Sequence, residues 1–265
     1  PRRSSLRWAS TSRPEARVGA SASGLHTSLV PASVSAPRLR RPPGLTLSKV
    51  AARFVPAIRS IERTVEPRAQ EWDQHNDEAL AGDGPLWLVL GDSASQGIGS
   101  SSVETSYVGL VRRRLDDHTG ARWRVLNLSV TGARMGGVVD DQLAAWSRLG
   151  VDADLVTCLA GANDVFAQSR GPTLASAARR LLHALPHGAV VGRIGAGRSA
   201  QRRVRPAQQL FERRARDGHI HLFDPWRWPT VRGMWAEDRF HPNDAGYAAI
   251  AACLWGTLTA LVPAA

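Results

Sequence analysis

Lysine is almost absent from this chain: Lys49 stands alone beside 33 arginines. A bias that complete marks the genome that encodes the protein more than an interaction surface. Cysteine is nearly as scarce. Cys158 and Cys253 sit in apolar contexts with no ligand spacing, which excludes a disulfide framework and a cysteine-based metal site and leaves two core thiols. No apolar run approaches the length that crosses a bilayer, so no membrane-spanning helix is expected. The N-terminus lacks both an initiating methionine and the apolar core of a secretory signal, so the chain is read as a fragment or as beginning upstream of its true start, and a cytoplasmic location is expected. Gly195-Ala196-Gly197 lacks the third glycine and the helix start of a dinucleotide-binding loop. There is no internal repeat.

Acidic residues are also few, and the resulting net charge of +11 resembles a nucleic-acid signal. Its distribution argues otherwise. Residues 1–45 hold eight arginines against one acid, Glu15, in a stretch rich in Ser, Pro and Ala with no apolar period. That composition reads as a disordered basic tail, and loosely as a transit peptide. The aromatic residues are not interleaved with the arginines, so no specific nucleic-acid binding is expected. Binding of the tail to nucleic acid or an acidic surface stays as an alternative.

What is present is a chain of 265 residues, 43% hydrophobic, enough for one sizeable core. Residues 46–84 read as an N-terminal helical extension: Val50, Phe54, Ile58, Ile61 and Val65 recur at helical spacing, with Pro56 and Pro67 expected to kink or divide it. From residue 85 to 265 short apolar runs alternate with helical stretches. The strand candidates are Leu86–Leu90, Trp123–Leu128, Leu155–Ala160, Ala189–Ile194 and His219–Phe223. The helix candidates are Tyr107–Asp117, Val138–Leu149, Leu174–Leu185, Pro206–Arg216 and Ala245–Leu261. This alternation indicates an α/β domain with a parallel sheet and helices on both faces. Between the fourth strand and the fourth of these helices lies Gly192–Arg205, with five arginines and no apolar period. It reads as a mobile surface loop, with an anion-binding rim as the sharper alternative.

Four blocks each follow a strand candidate. Leu86–Leu90 stops at Gly91-Asp92-Ser93, and ligands of open α/β sheets sit beyond the carboxyl ends of strands. A serine there is a candidate nucleophile, or else a turn or cap residue. Gly132 follows the second strand, where a glycine lets a backbone N–H approach a ligand closely or merely makes a turn. Gly161-Ala162-Asn163-Asp164 follows the third, and Asn163 offers a neutral amide donor or a helix cap. Asp238-Arg239-Phe240-His241 follows the fifth after a long loop. Histidine is the usual general base, and an aspartate three residues before it can reach its ring; a helix-start pair is the plainer reading. Trp226, Trp228 and Trp235, with Arg227 and Arg232, lie on the loop leading to this block. Their rings pack the loop onto the domain, or line an acyl or sugar pocket.

The four blocks in this order, GDSASQG at 91–97, Gly132, GAND at 161–164 and DRFH at 238–241, resemble the SGNH hydrolases, also called the GDSL esterase/lipase family, and actinobacterial members in particular. The resemblance spans residues 86–261; Ser129-Val130 departs from the small step common in the second block. It implies a flavodoxin-like three-layer α/β/α sandwich around a five-stranded parallel sheet. It implies a serine esterase with Ser93 as nucleophile, His241 as base and Asp238 as its orienting acid. The backbone N–H groups of Ser93 and Gly132 and the side chain of Asn163 would form the oxyanion hole. No metal or organic cofactor is implied. Asp92 is then a loop-holding residue, not the triad acid. The elbow of an α/β-hydrolase does not fit, because Ser95 stands where its second glycine belongs. Small acyl esters or acetylated carbohydrates are favoured over long-chain lipids as substrates. A catalytically silent binding domain on the same fold is the alternative.

Overall fold

The computed structural model describes residues 35–41, 55–167, 170–226 and 233–265. Five parallel strands form one sheet: β1 (Leu86–Gly91), β2 (Arg124–Asn127), β3 (Leu155–Leu159), β4 (Ala189–Gly192) and β5 (Ile220–Phe223), in the order β2-β1-β3-β4-β5. All five strand candidates are present, each shorter or longer by a residue or two. The order reverses direction between β1 and β3, which opens a crevice at their carboxyl ends.

Each strand alternates its side chains between two cores. Leu86, Leu88 and Leu90 of β1 face one side, with Val156 and Cys158 of β3 and Val191 of β4. That face is covered by α4 (Met135–Gly137), α5 (Ala144–Leu149), α7 (Gly171–Ala184) and α8 (Gln201–Arg216). Trp87 and Val89 face the other side, under α3 (Tyr107–Thr119) and α9 (Asp244–Leu258). Trp87 is fully buried, and its Nε1–H donates to Thr157 Oγ1 at 2.9 Å, so the ring leaves no orphaned donor. Cys158 is a core thiol, and burial pushes its pKa up.

Three helices depart from expectation. The N-terminal helix α1 (Pro56–Ala81) is undivided. Pro56 occupies its first turn, where the missing N–H is no loss, and Pro67 lies inside. Contacts with the sheet hold it: Asn76 donates from Nδ2 to Asn127 O at 2.8 Å and accepts from Asn127 N at 2.7 Å. It thereby satisfies the open backbone of edge strand β2. Val50 and Phe54 lie outside the described residues. The candidate helix 138–149 starts at Met135 and carries a π-helical turn, Val138–Leu143, between α4 and α5. Helix α8 begins at Gln201, five residues before Pro206. Its buried stripe of Val204, Ala207 and Phe211 runs into the arginine-rich segment, whose exposed arginines hide the period. So 201–205 is helix, not loop.

Residues 35–41, which composition assigns to the basic tail, lie along α1. Arg38 pairs with Asp77 at 2.5 Å, Arg40 with Asp73 and Glu66, and Arg41 with Glu62 at 2.7 Å. For these residues the expected disorder gives way to a ladder of ion pairs, because the acids they need stand on a distant helix. The remainder of the tail lies outside the described residues. No helix among the described residues is long and apolar enough to cross a membrane.

Candidate active site

Gly91 ends β1 at φ +142°, and a Cβ there would lie 2.2 Å from Leu159 O and 2.5 Å from Ser95 Oγ. Only glycine fits. Asp92 then caps the four-residue helix α2 (Ser93–Gln96), accepting from Ala94 N at 3.1 Å. Ser93 is the first residue of α2, at the carboxyl end of β1.

The block 238–241 sits at the tip of a hairpin closed by the Trp235–Pro242 bridge and the Ala236 N to His241 O bond at 2.8 Å. Asp238 Oδ1 accepts the N–H groups of Phe240 and His241, both at 3.0 Å. Arg239 takes φ +54°, the only described non-glycine residue with positive φ, so that the chain can turn between them. Asp238 Oδ2 lies 2.6 Å from His241 Nδ1, and His241 Nε2 lies 3.0 Å from Ser93 Oγ. Burial would raise the Asp238 pKa, but the His241 hydrogen bond, its charge and two backbone donors hold it below the ordinary carboxylate value. The helix-start reading holds for 241–244, where Asn243 caps α9, accepting from Gly246 N at 3.1 Å, but Asp238 is engaged by His241 and is no free surface acid.

Asn163 lies within the short helix α6 (Ala162–Phe166), whose cap position is Gly161, so it is not the cap residue. Its Nδ2 donates to Ala133 O at 3.0 Å and more loosely to Asp92 Oδ2 at 3.3 Å. Asp164 is buried and accepts from Met135 N at 3.0 Å, tying α6 to the start of α4. Gly132 stands at φ +83° in the loop after β2, beside the Ala133 carbonyl that Asn163 holds. Neither its N–H nor that of Ser93 meets an acceptor among the described residues. Ser129 and Val130 are both buried, Val130 N bonding to Gly91 O at 3.2 Å. Ser93, His241, Asp238 and Asn163 are therefore together; Ser93, His241 and Asn163 line one cavity, with Asp238 behind His241 and Gly132 off its wall.

Three further residues support the site without being singled out by the sequence. Gln142, fully buried on the π-helical turn, accepts from Gly91 N at 2.9 Å and donates to Gly91 O at 2.7 Å. Gln96 Oε1 accepts both Thr131 N at 2.8 Å and Thr131 Oγ1 at 2.5 Å, joining α2 to the Gly132 loop. Gly99 at φ +98° presses against the histidine hairpin, where a Cβ would meet Pro242 O at 2.5 Å and His241 Cβ at 3.0 Å. The π-turn and the close approach arise from tertiary packing, so only Gln96, inside the first block, carries any signal.

Ser93 and His241 open onto a cavity of about 860 Å³ walled by Leu159, Val165, Trp226 and Trp235. Phe166 and Phe240 meet edge to face at its lip, centroids 4.5 Å apart. Trp226 also packs against Gly195 and donates to Arg193 O at 3.2 Å, so it both plugs the loop and lines the cavity. Trp228, Arg227 and Arg232 lie outside the described residues. Among the described residues no cluster of three or more His, Cys, Asp or Glu side chains is placed to hold a metal ion.

Residues 89–249 match the family model of the GDSL-like lipases and acylhydrolases. The chain belongs to that family. It is 29% identical over 191 residues to the GDSL-like esterase Rv1075c of Mycobacterium tuberculosis, covering 63% of this chain and 60% of that protein. The psychrotrophic esterase EstA from Pseudoalteromonas superposes with a TM-score of 0.55 at 18% identity, over 66% of this chain and 97% of that one. The lipase/acylhydrolase from Enterococcus faecalis gives 0.55 at 16% identity, over 68% and 98%. These structures share the fold, which is the expected three-layer α/β/α sandwich around five parallel strands.

Proposed function

We propose that this GDSL-family chain is a serine esterase acting on small carboxylic esters. The observation that carries the reading is the continuous contact from Asp238 through His241 to Ser93, at 2.6 and 3.0 Å, beside an open cavity. The hydrogen bond from Nδ1–H to Asp238 leaves Nε2 as the acceptor facing Ser93. Ser93 Oγ attacks the ester carbonyl carbon as His241 Nε2 takes its proton. The oxygen of the tetrahedral intermediate gains its negative charge beside the N–H groups of Ser93 and Gly132 and the Asn163 amide. Of the two Asn163 bonds, the longer one to Asp92 is the one an oxyanion displaces. The intermediate collapses, the C–O bond to the alcohol breaks, and His241 returns the proton to the leaving alcohol. Water then attacks the acyl-serine with His241 again as base, releasing the acid and restoring Ser93.

The cavity favours short or medium acyl groups, or an acetylated sugar held against Trp226 and Trp235, over long lipid chains. The test is covalent labelling by a fluorophosphonate together with hydrolysis of short aryl esters. The parent labels at Ser93 and turns over ester; Ser93→Ala does neither, and His241→Ala labels far more slowly. Ester hydrolysis by Ser93→Ala at the parent rate overturns the reading. A parent that neither labels nor hydrolyses is instead a binding domain on this fold.

A further inference from the structure

The cavity beside Ser93 is apolar on most of its wall, yet two arginines, Arg203 and Arg239, line it. Their situation differs from that of Arg193 on the same side of the fold, which pairs with Glu212 at 2.6 Å. Arg203 Nη2 donates to Val165 O at 2.9 Å, while its Nε is buried without a hydrogen-bond partner. No carboxylate pairs with either arginine among the described residues. Among the described residues the single acid on the wall is Asp92, whose two oxygens are engaged by Ala94 N and Asn163 Nδ2. Burial pushes its pKa up to about 6, so near neutrality it still sets one negative charge against the two guanidiniums.

A guanidinium that lines an apolar wall with no carboxylate beside it carries an unneutralised charge, and an anion on the cavity side offsets its desolvation. Guanidinium groups recognise carboxylate and phosphate through charge-assisted hydrogen bonds, which are about twice as strong as neutral ones. Two guanidiniums against one carboxylate give the lining an excess of positive charge, and such a cleft draws anionic ligands toward it. Of the arginines between Gly192 and Arg205 whose side chains are described, Arg203 lines the cavity and Arg193, Arg202 and Arg205 do not.

We infer that the ester this site takes carries an anionic group, a carboxylate or phosphate, held by Arg203 and Arg239 while its carbonyl faces Ser93. The inference rests on the esterase reading above. It narrows that reading from small esters in general to esters with a negative charge on the acyl or the alcohol part.

The experiment compares kcat/KM on two matched pairs of esters. One pair is p-nitrophenyl butyrate against the mono-p-nitrophenyl ester of glutaric acid, with the charge on the acyl part. The other is phenyl butyrate against 4-butyryloxybenzoate, with the charge on the alcohol part. The parent is expected to prefer the anionic member of one pair by about tenfold or more, the worth of one charge-assisted hydrogen bond. The preferred pair says which side of the ester the arginines hold. That preference shrinks as salt is raised, is lost in Arg203→Gln, is partly kept in Arg203→Lys and is reduced in Arg239→Gln. Arg239 is exposed, so its variant keeps the test available if Arg203→Gln fails to fold. Hydrolysis of the neutral esters with no anionic preference, or a preference unchanged in both glutamine variants, overturns this inference and leaves the esterase reading standing. No turnover of any of the four esters overturns both.

Discussion

Asp92 Oδ2 and Asn163 Nδ2 lie 3.3 Å apart, joining the first and third motif blocks across the crevice between β1 and β3. Asp92 is 4% exposed and has no cationic hydrogen-bond partner; it is held by one backbone N–H and one amide. Its work is to cap the helix that carries Ser93 and to steady the amide proposed for the oxyanion. This is the loop-holding role the sequence suggests, and it has a cost in pH dependence.

Desolvation pushes the Asp92 pKa from 3.8 up to about 6, against the opposing pull of Ala94 N and His241. A carboxyl whose folded pKa is raised contributes stability that is fully present below its unfolded pKa and is lost as pH rises through the folded one. The loss between pH about 4 and pH about 7 is on the order of 3 kcal/mol. Asp92→Asn removes one acceptor at every pH but does not titrate. Urea unfolding across this range should show the variant gaining on the parent as pH rises. A constant gap between the two curves would mean that Asp92 is not desolvated in the folded protein.

Asp238→Asn tests the orientation of His241. The substituted side chain keeps one oxygen for the N–H groups of Phe240 and His241, so the hairpin should survive. Its NH₂ then faces Nδ1, which must accept, and the proton moves to Nε2, where it blocks transfer from Ser93. A loss of about 10⁴ in kcat with a near-parent melting temperature is expected, the size seen for the same change in a serine protease. Loss of folding instead, or retention of more than a tenth of the activity, would deny Asp238 this role.

The parts that are legible in the sequence are those whose reasons are local. Leu86–Gly91 is apolar on both faces because both faces are covered, and a run of this kind needs no partner to be recognised. Asp238 and His241 are legible because a single turn brings them together. Ser93 and Asn163 are legible through their places at strand ends, and the sheet order places those ends side by side. What escapes depends on distant chain. Pro67 reads as a break, because the Asn76–Asn127 bonds that help hold α1 join residues 51 apart. The π-turn escapes because its reason is Gln142 reaching Gly91, also 51 residues away. Arg203 is hidden inside a segment whose arginines all look alike until the fold sets this one on the cavity wall.

Gly99→Ala should separate Ser93 from His241. The added methyl meets Pro242 O at 2.5 Å and His241 Cβ at 3.0 Å, and φ +98° is unfavourable for any L residue. The hairpin is the side that can move. Displacing His241 by about 1 Å is expected to lower kcat/KM by about 10²-fold. The labelling rate of Ser93 by a fluorophosphonate should fall in parallel, since it needs the same contact. A folded variant with parent activity would show that the hairpin tolerates the shift.

Gln142→Glu converts a neutral clamp into a titratable one. The glutamine accepts from Gly91 N and donates to Gly91 O inside the core. An ionised glutamate in its place keeps the first bond, but it sets an oxygen against the Gly91 carbonyl and buries a charge. Protonated, it makes both bonds. The folded pKa of the introduced carboxyl is therefore raised, so the variant is close to the parent below the ordinary glutamate pKa and loses stability as pH rises. At neutral pH the loss should be about 2–4 kcal/mol, the penalty for an unsatisfied buried group with partial charge relief. Activity should follow the same profile, because Gly91 is the turn that delivers Ser93. Thermal melts and kcat from pH about 5 to pH about 8 would check both, and a variant whose deficit is the same at every pH would show that the clamp acts by shape alone.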